Sequence, residues 1–122
     1  MTPSEAIDQT QWTNLLDMTG GDAEFVDELV DTYLEDGERQ VEALRAAVES
    51  GSVDDLVRPA HSLKSSSLNV GALRLGGLCR TLEEASRNGE VPHAAEWVAQ
   101  VAAAFAEARQ ALLAERAGRT SG

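Results

Sequence analysis

The sequence predicts an all-α fold: an antiparallel up-down four-helix bundle with a short extra N-terminal helix. Three observations carry that expectation. Of the 122 residues 43% are hydrophobic but only 4% aromatic, a composition that suits packed helices better than a sandwich of strands. Apolar residues return every three or four positions along four long segments. Short connections marked by Gly, Asn or Pro separate those segments, which favours antiparallel neighbours, with the first helix lying across one end of the bundle. A chain of this length buries a single core without metal or disulfide staples.

Residues 1–7 show no core-forming period and are expected to be flexible, residues 8–117 to form the bundle domain, and residues 118–122 to fray as a flexible tail. The first helix, Asp8 to Met18, carries Trp12, Leu15 and Leu16 and ends at Gly20-Gly21. Asp22 is a good N-cap for the second. There Phe25, Leu29, Tyr33, Val41, Leu44 and Val48 recur at helical spacing, with Gly37 interrupting the stripe and Gly51 supplying a left-handed stop.

Ser52 caps the third helix, with Asp55 completing an approximate capping box, and Val53, Leu56, Ala60, Leu63, Ser67 and Val70 form its core stripe. Pro59 removes the hydrogen bond to the Asp55 carbonyl and crowds it, at a cost of ~3 kcal/mol, so a local kink or a later helix start is expected. Gly71 permits a tight exit. The fourth helix runs from Leu73 to Arg87 through Leu75, Leu78, Cys79 and Leu82, and Asn88-Gly89 ends it. Pro92 opens the fifth, with Trp97, Val98, Val101, Phe105, Ala108 and Leu112 on one face. The Trp and Phe positions all read as core.

The formal net charge of −11 argues against nucleic-acid binding, which needs clustered Lys and Arg. The acidic excess is local. Residues 1–50 hold 13 Asp and Glu against two Arg, whereas residues 51–88 hold four acids against Arg58, Lys64, Arg74, Arg80 and Arg87. The second segment is therefore near neutral or slightly basic, and an anion meets little like-charge repulsion there. Cys79 is the lone cysteine, reads as core packing and can form no internal disulfide; no metal-ligand Cys/His spacing occurs, so no metal site is expected. A cytoplasmic location follows, and the chain shows neither a membrane span nor a signal peptide.

The chemistry concentrates in Ala60-His61-Ser62-Leu63-Lys64-Ser65-Ser66-Ser67, closed by Asn69-Val70-Gly71-Ala72. On a helix His61 lies about 130° from the centre of the core stripe, facing solvent, with Arg58, Lys64, Ser65 and Leu68 on its side. Free imidazole, with a pKa of roughly 6.5, leaves a nucleophilic nitrogen at neutral pH. Lys64, one turn on, can put a cation beside incoming phosphoryl oxygens. Val57 and Leu68 place apolar side chains on the same strip, and the small Ser65 leaves room for a partner to descend. The serine run lacks a Gly-x-Ser-x-Gly elbow, which argues against a hydrolase, and His93 reads as a solvent-facing residue at a helix start.

His61 followed by Lys64, by Ser65-Ser66-Ser67 and by Gly71 resembles the phosphoacceptor motif of histidine phosphotransfer (HPt) domains, the shuttle modules of multi-step phosphorelays. The resemblance extends from Ile7 to Leu113. It takes in Gly21-Asp22-Ala23-Glu24-Phe25, the string Leu78-Cys79-Arg80-Thr81-Leu82-Glu83, and Arg87-Asn88-Gly89. Many members carry Gly where this chain has Ser65.

The resemblance implies phosphorylation of His61 on Nε2, an imidazole oriented through Nδ1 by Glu83, charge compensation by Lys64, and further positive charge from Arg87. It implies a monomeric phosphoryl carrier that binds no ATP and has no autokinase activity. Its partners would be receiver domains of response regulators or a hybrid histidine kinase, docking over Val57, Ser65 and Leu68. No cofactor of its own is expected, with Mg²⁺ supplied on the receiver. Two other readings compete: a non-catalytic bundle adaptor that scaffolds or inhibits a receiver or kinase, and a histidine-kinase dimerisation domain. Against the latter, an acid normally follows the histidine in that family, and here the next residue is Ser62.

Overall fold

The computed structural model describes residues 7–20 and 22–120. Among these, five helices and no strand occur: α1 (Gln9–Met18), α2 (Ala23–Ser50), α3 (Asp54–Asn69), α4 (Leu73–Arg87) and α5 (Ala94–Thr120). Local chemistry sets the ends. Asp8 Oδ2 accepts the Gln11 backbone N–H at 2.9 Å, and Asp22 Oδ1 accepts that of Phe25 at 3.1 Å. Gly51, at φ 72, closes α2 in the left-handed conformation.

The start of α3 departs from the sequence expectation. Ser52 Oγ does accept the Asp55 N–H at 3.3 Å, but the cap position falls on Val53, already helical, so α3 begins at Asp54. Buried Pro59 then lies in the second turn, where its missing N–H deprives only the first-turn carbonyl of Asp55, and the helix continues to Asn69. At the last connection Pro92 does not open the helix. Pro92 and His93 form the preceding turn, His93 at φ 59, and α5 starts at Ala94.

The helices form a ring in which α2 packs on α3, α3 on α4, α4 on α5 and α5 back on α2. Leu44, Leu56, Leu63, Leu82 and Leu112 fill its centre, each almost fully excluded from solvent. The closest pair is α3 with α4. Gly76 makes this approach possible, because a Cβ there would stand 2.5 Å from Leu68 Cδ2.

Three α2 positions read differently in three dimensions. Phe25 is exposed, not core, and Leu29 and Val48 are half-buried, while Val26, Val30, Tyr33, Val41, Leu44 and Ala47 point inward. The pairs Phe25-Val26 and Leu29-Val30 offer two apolar stripes about 100° apart, and packing selects the second. Trp97 likewise sits at the edge of the core, half-buried. Gly37 completes the stripe it was expected to interrupt. A Cβ there would lie 2.6 Å from Phe105 Cζ, so the glycine admits that ring, which also packs on Tyr33 with centroids 5.9 Å apart. Gly37→Ala is expected to destabilise the fold by about 1–2 kcal/mol, overpacking of about 1–3 kcal/mol being partly offset by better helix propensity. Urea unfolding of the two proteins measures the difference.

Helix α1 crosses one end of the bundle. Asp8 N–H donates to the Gly71 carbonyl at 2.7 Å, and Trp12 and Ile7 are buried. Ile7 thus belongs to the core and not to a flexible N-terminus; residues 1–6 lie outside the described residues. Gly71 has φ 88, and a Cβ would stand 3.0 Å from the Asp8 carbonyl oxygen, so both conformation and close approach require glycine. At the other terminus α5 continues to Thr120, so residues 118–120 of the expected tail are helical, while Ser121 and Gly122 lie outside the described residues. Cys79 is buried between apolar neighbours, and that burial pushes its thiol up to about 12.

Candidate functional site

The closeness of α3 and α4 brings together side chains far apart in sequence. His61 and Lys64 stand one turn apart on α3, and Glu83 and Arg87 one turn apart on α4. Glu83 is the hub. It is only 5% exposed, unusual for a carboxylate unless it is paired. His61 Nδ1 lies 3.0 Å from its Oε2, and Arg87 donates to the same oxygen from Nε at 3.0 Å and from Nη2 at 2.7 Å. Lys64 Nζ stands 2.8 Å from Oε1, an ion pair without the alignment of a hydrogen bond.

Burial by itself would raise the Glu83 carboxyl. Its pairing with Lys64, Arg87 and His61 outweighs burial and holds the group down at about 2. A folded-state value below the ordinary 4.5 means that the contribution to stability is fully present above that value and is lost as pH falls towards about 2. The melting-temperature gap between the wild type and Glu83→Gln is therefore expected to be constant at neutral pH and to narrow below 4.5. Thermal unfolding from neutral to acid pH measures it.

An ionised carboxylate only accepts hydrogen bonds, so Nδ1 carries the hydrogen, and in the neutral ring Nε2 carries the lone pair. The His61 side chain is 53% exposed, and Nε2 has no hydrogen-bond partner among the described residues. The arrangement presents one nucleophilic nitrogen to solvent while holding the other. Exposed Ser65 and Leu68 and half-buried Val57 share the His61 side of α3, as does exposed Arg58. The other two serines of the run turn away from it. Ser66 Oγ donates to the Ser62 carbonyl at 3.1 Å, and buried Ser67 exchanges a 2.8 Å hydrogen bond with Tyr33. His93 is exposed and has no bond to the cluster.

Two features go beyond the sequence reading. The cations expected beside a phosphoryl group, Lys64 and Arg87, are both held by Glu83. The Glu83/Arg87 pair was readable from its i, i+4 spacing, whereas the Lys64 contact depends on the register of α3 against α4. The second feature is a groove of about 400 Å³ bounded by Leu15 and Met18 of α1, Leu29 and Thr32 of α2, and Asn69 of α3. Its walls come from three helices, so no local pattern announces it.

The bundle thus holds one imidazole nitrogen on a buried carboxylate and leaves the other exposed. The Hpt domain model matches residues 28–111, and the chain belongs to the Hpt domain family. It is similar in structure to histidine-containing phosphotransfer protein B (HptB) of Pseudomonas aeruginosa PAO1, with a TM-score of 0.83 and 33% identity over 91% of this chain and 94% of that one. No curated protein matches the chain. Membership carries a histidine phosphotransfer role in a phosphorelay, and Hpt phosphotransfer proteins are phosphoryl carriers rather than kinases. Proteins of this family work with receiver domains and histidine kinases. No described helix is long and apolar enough to cross a membrane.

Proposed function

We propose that His61 is the phosphoacceptor, taking a phosphoryl group from the aspartyl phosphate of a receiver domain or hybrid histidine kinase and passing it to a response regulator. The observation that carries this reading is a half-exposed imidazole with Nδ1 on buried Glu83 and Nε2 unengaged. The Nε2 lone pair attacks phosphorus, and the bond from phosphorus to the aspartyl oxygen breaks, leaving a carboxylate on the receiver. The hydrogen on Nδ1 stays where it is. Positive charge that develops on the ring meets the Glu83 carboxylate, a stabilisation that grows along the reaction coordinate.

Lys64 compensates phosphoryl charge by turning Nζ from Glu83 Oε1 towards the transferred group, a short swing for a flexible side chain. The receiver docks over Val57, Ser65 and Leu68, where a serine and two apolar side chains permit close contact. Mg²⁺ belongs to the receiver, and the carrier works as a monomer in the cytoplasm, without cofactor, ATP or autokinase activity of its own.

Incubation with phosphorylated receiver domains and Mg²⁺ tests the proposal. Label is expected to move to an acid-labile, base-stable species on the wild type. Binding of receivers with no transfer from any of them would instead favour a scaffolding adaptor.

A further inference from the structure

Glu83 Oε2 accepts three N–H groups: Nδ1–H of His61 from α3 and, from its own helix, both Nε and Nη2 of Arg87. Oε1 faces Lys64 Nζ instead. The carboxylate is therefore drawn two ways. Lys64 pulls on one oxygen, while the Arg87 fork pins the other against the imidazole. Arg87 spends two of its donors on Glu83. We infer that Arg87 is a positioning residue, holding Glu83 Oε2 on His61 Nδ1 and thereby fixing the imidazole tautomer, and is not a ligand of the transferred phosphoryl group.

A glutamate has three side-chain torsions, and a contact from one cation at Oε1 leaves Oε2 free to swing about it. The Arg87 fork removes that freedom. Charge-assisted hydrogen bonds from a planar guanidinium set direction as well as distance, and this one comes from the same helix, one turn away. Without it, Glu83 follows Lys64, the Nδ1–H contact becomes intermittent, and the ring spends more time with its hydrogen on Nε2, where no lone pair remains for attack.

The inference rests on His61 as the phosphoacceptor for its consequence, but its first readout is taken before any phosphorylation. Nitrogen-15 shifts of His61 report the Nδ1–H fraction in the wild type, Arg87→Ala and Arg87→Lys. Arg87 is more than half exposed, so its replacement leaves the core intact. Arg87→Ala is expected to lower the Nδ1–H fraction, and Arg87→Lys, whose ammonium still reaches Glu83 from one turn away but lacks the planar fork, to restore it only in part.

The second readout is the rate of phosphoryl acceptance in single and double variants. Arg87→Ala is expected to slow acceptance about tenfold, the equivalent of one charge-assisted hydrogen bond. In a Glu83→Ala background the same change should have no further effect, since Arg87 would have nothing left to position. An unchanged tautomer in Arg87→Ala, or an equal slowing in both backgrounds, overturns the inference and makes Arg87 a direct phosphoryl contact. Failure of His61 to accept label, with the tautomer still shifted by Arg87→Ala, would instead overturn the proposed function and leave the positioning role standing.

Discussion

Replacing His61 by Gln is expected to reduce phosphoryl acceptance to background while leaving fold and receiver binding intact. Glutamine keeps a polar side chain of similar reach, and its amide N–H can donate to Glu83 Oε2 in place of Nδ1–H. What it lacks is a nucleophile, because the amide nitrogen lone pair is delocalised into the carbonyl. His61 is 53% exposed, so the exchange creates no cavity, and stability is expected to change by less than about 0.5–1 kcal/mol. Three measurements separate the outcomes: label transfer, a thermal melt, and the affinity for an unphosphorylated receiver. Loss of transfer at unchanged melting temperature and affinity assigns the chemistry to this imidazole. Labelled His61→Gln protein would move the acceptor elsewhere.

Much of the fold is legible because its signals are local. Asp8, Asp22 and Gly51 each act within one turn of their own position, and α1 and α2 begin or end where those residues stand. Gly71 was legible as a tight exit, but the reason glycine is required includes the Asp8 carbonyl pressed against it from 63 positions earlier in the chain. That second reason is tertiary. The same distinction explains Phe25. Periodicity limits the buried face of α2 to two adjacent stripes, and only the position of α3 and α5 chooses between them.

The site divides along the same line. His61 and Lys64 are read from one helix, and a hydrophobic stripe tells which side of α3 faces solvent. The pairing of His61 with Glu83 was legible only through the family string around Leu78 to Glu83, because a separation of 22 residues carries no periodicity. A lone glutamate on a helix is ordinarily solvated, and this one is buried. Its burial is tolerated because two cations and an imidazole surround it, so the charge balance of the site is a property of the α3/α4 interface. The acidic excess, by contrast, lies in the first 50 residues, largely on α2. That leaves the α3/α4 face with one more cation than Glu83 neutralises, suited to an incoming dianion.

Glu83→Ala is expected to slow phosphoryl acceptance by about 10²-fold or more, the scale on which a positioned acid–base or electrostatic partner acts. Three losses coincide in that variant. Nδ1–H has no acceptor, so the reactive tautomer is no longer selected. The ring gains positive charge as Nε2 bonds to phosphorus, with no carboxylate beside it. Lys64, whose side chain is only 23% exposed, is left close to the ring without its counter-charge, and opposes that developing charge. Glu83→Gln separates the first loss from the other two, since the amide oxygen still accepts from Nδ1–H but carries no net charge. Single-turnover acceptance at saturating receiver should therefore rank Glu above Gln and Gln above Ala. Gln equal to Glu would mean that orientation alone is used. Ala equal to Glu would reduce the 3.0 Å contact with His61 to a structural one. The expected order requires the carboxylate both to hold the imidazole and to balance its charge, and one buried oxygen does both because it accepts from His61 while its partner oxygen faces Lys64.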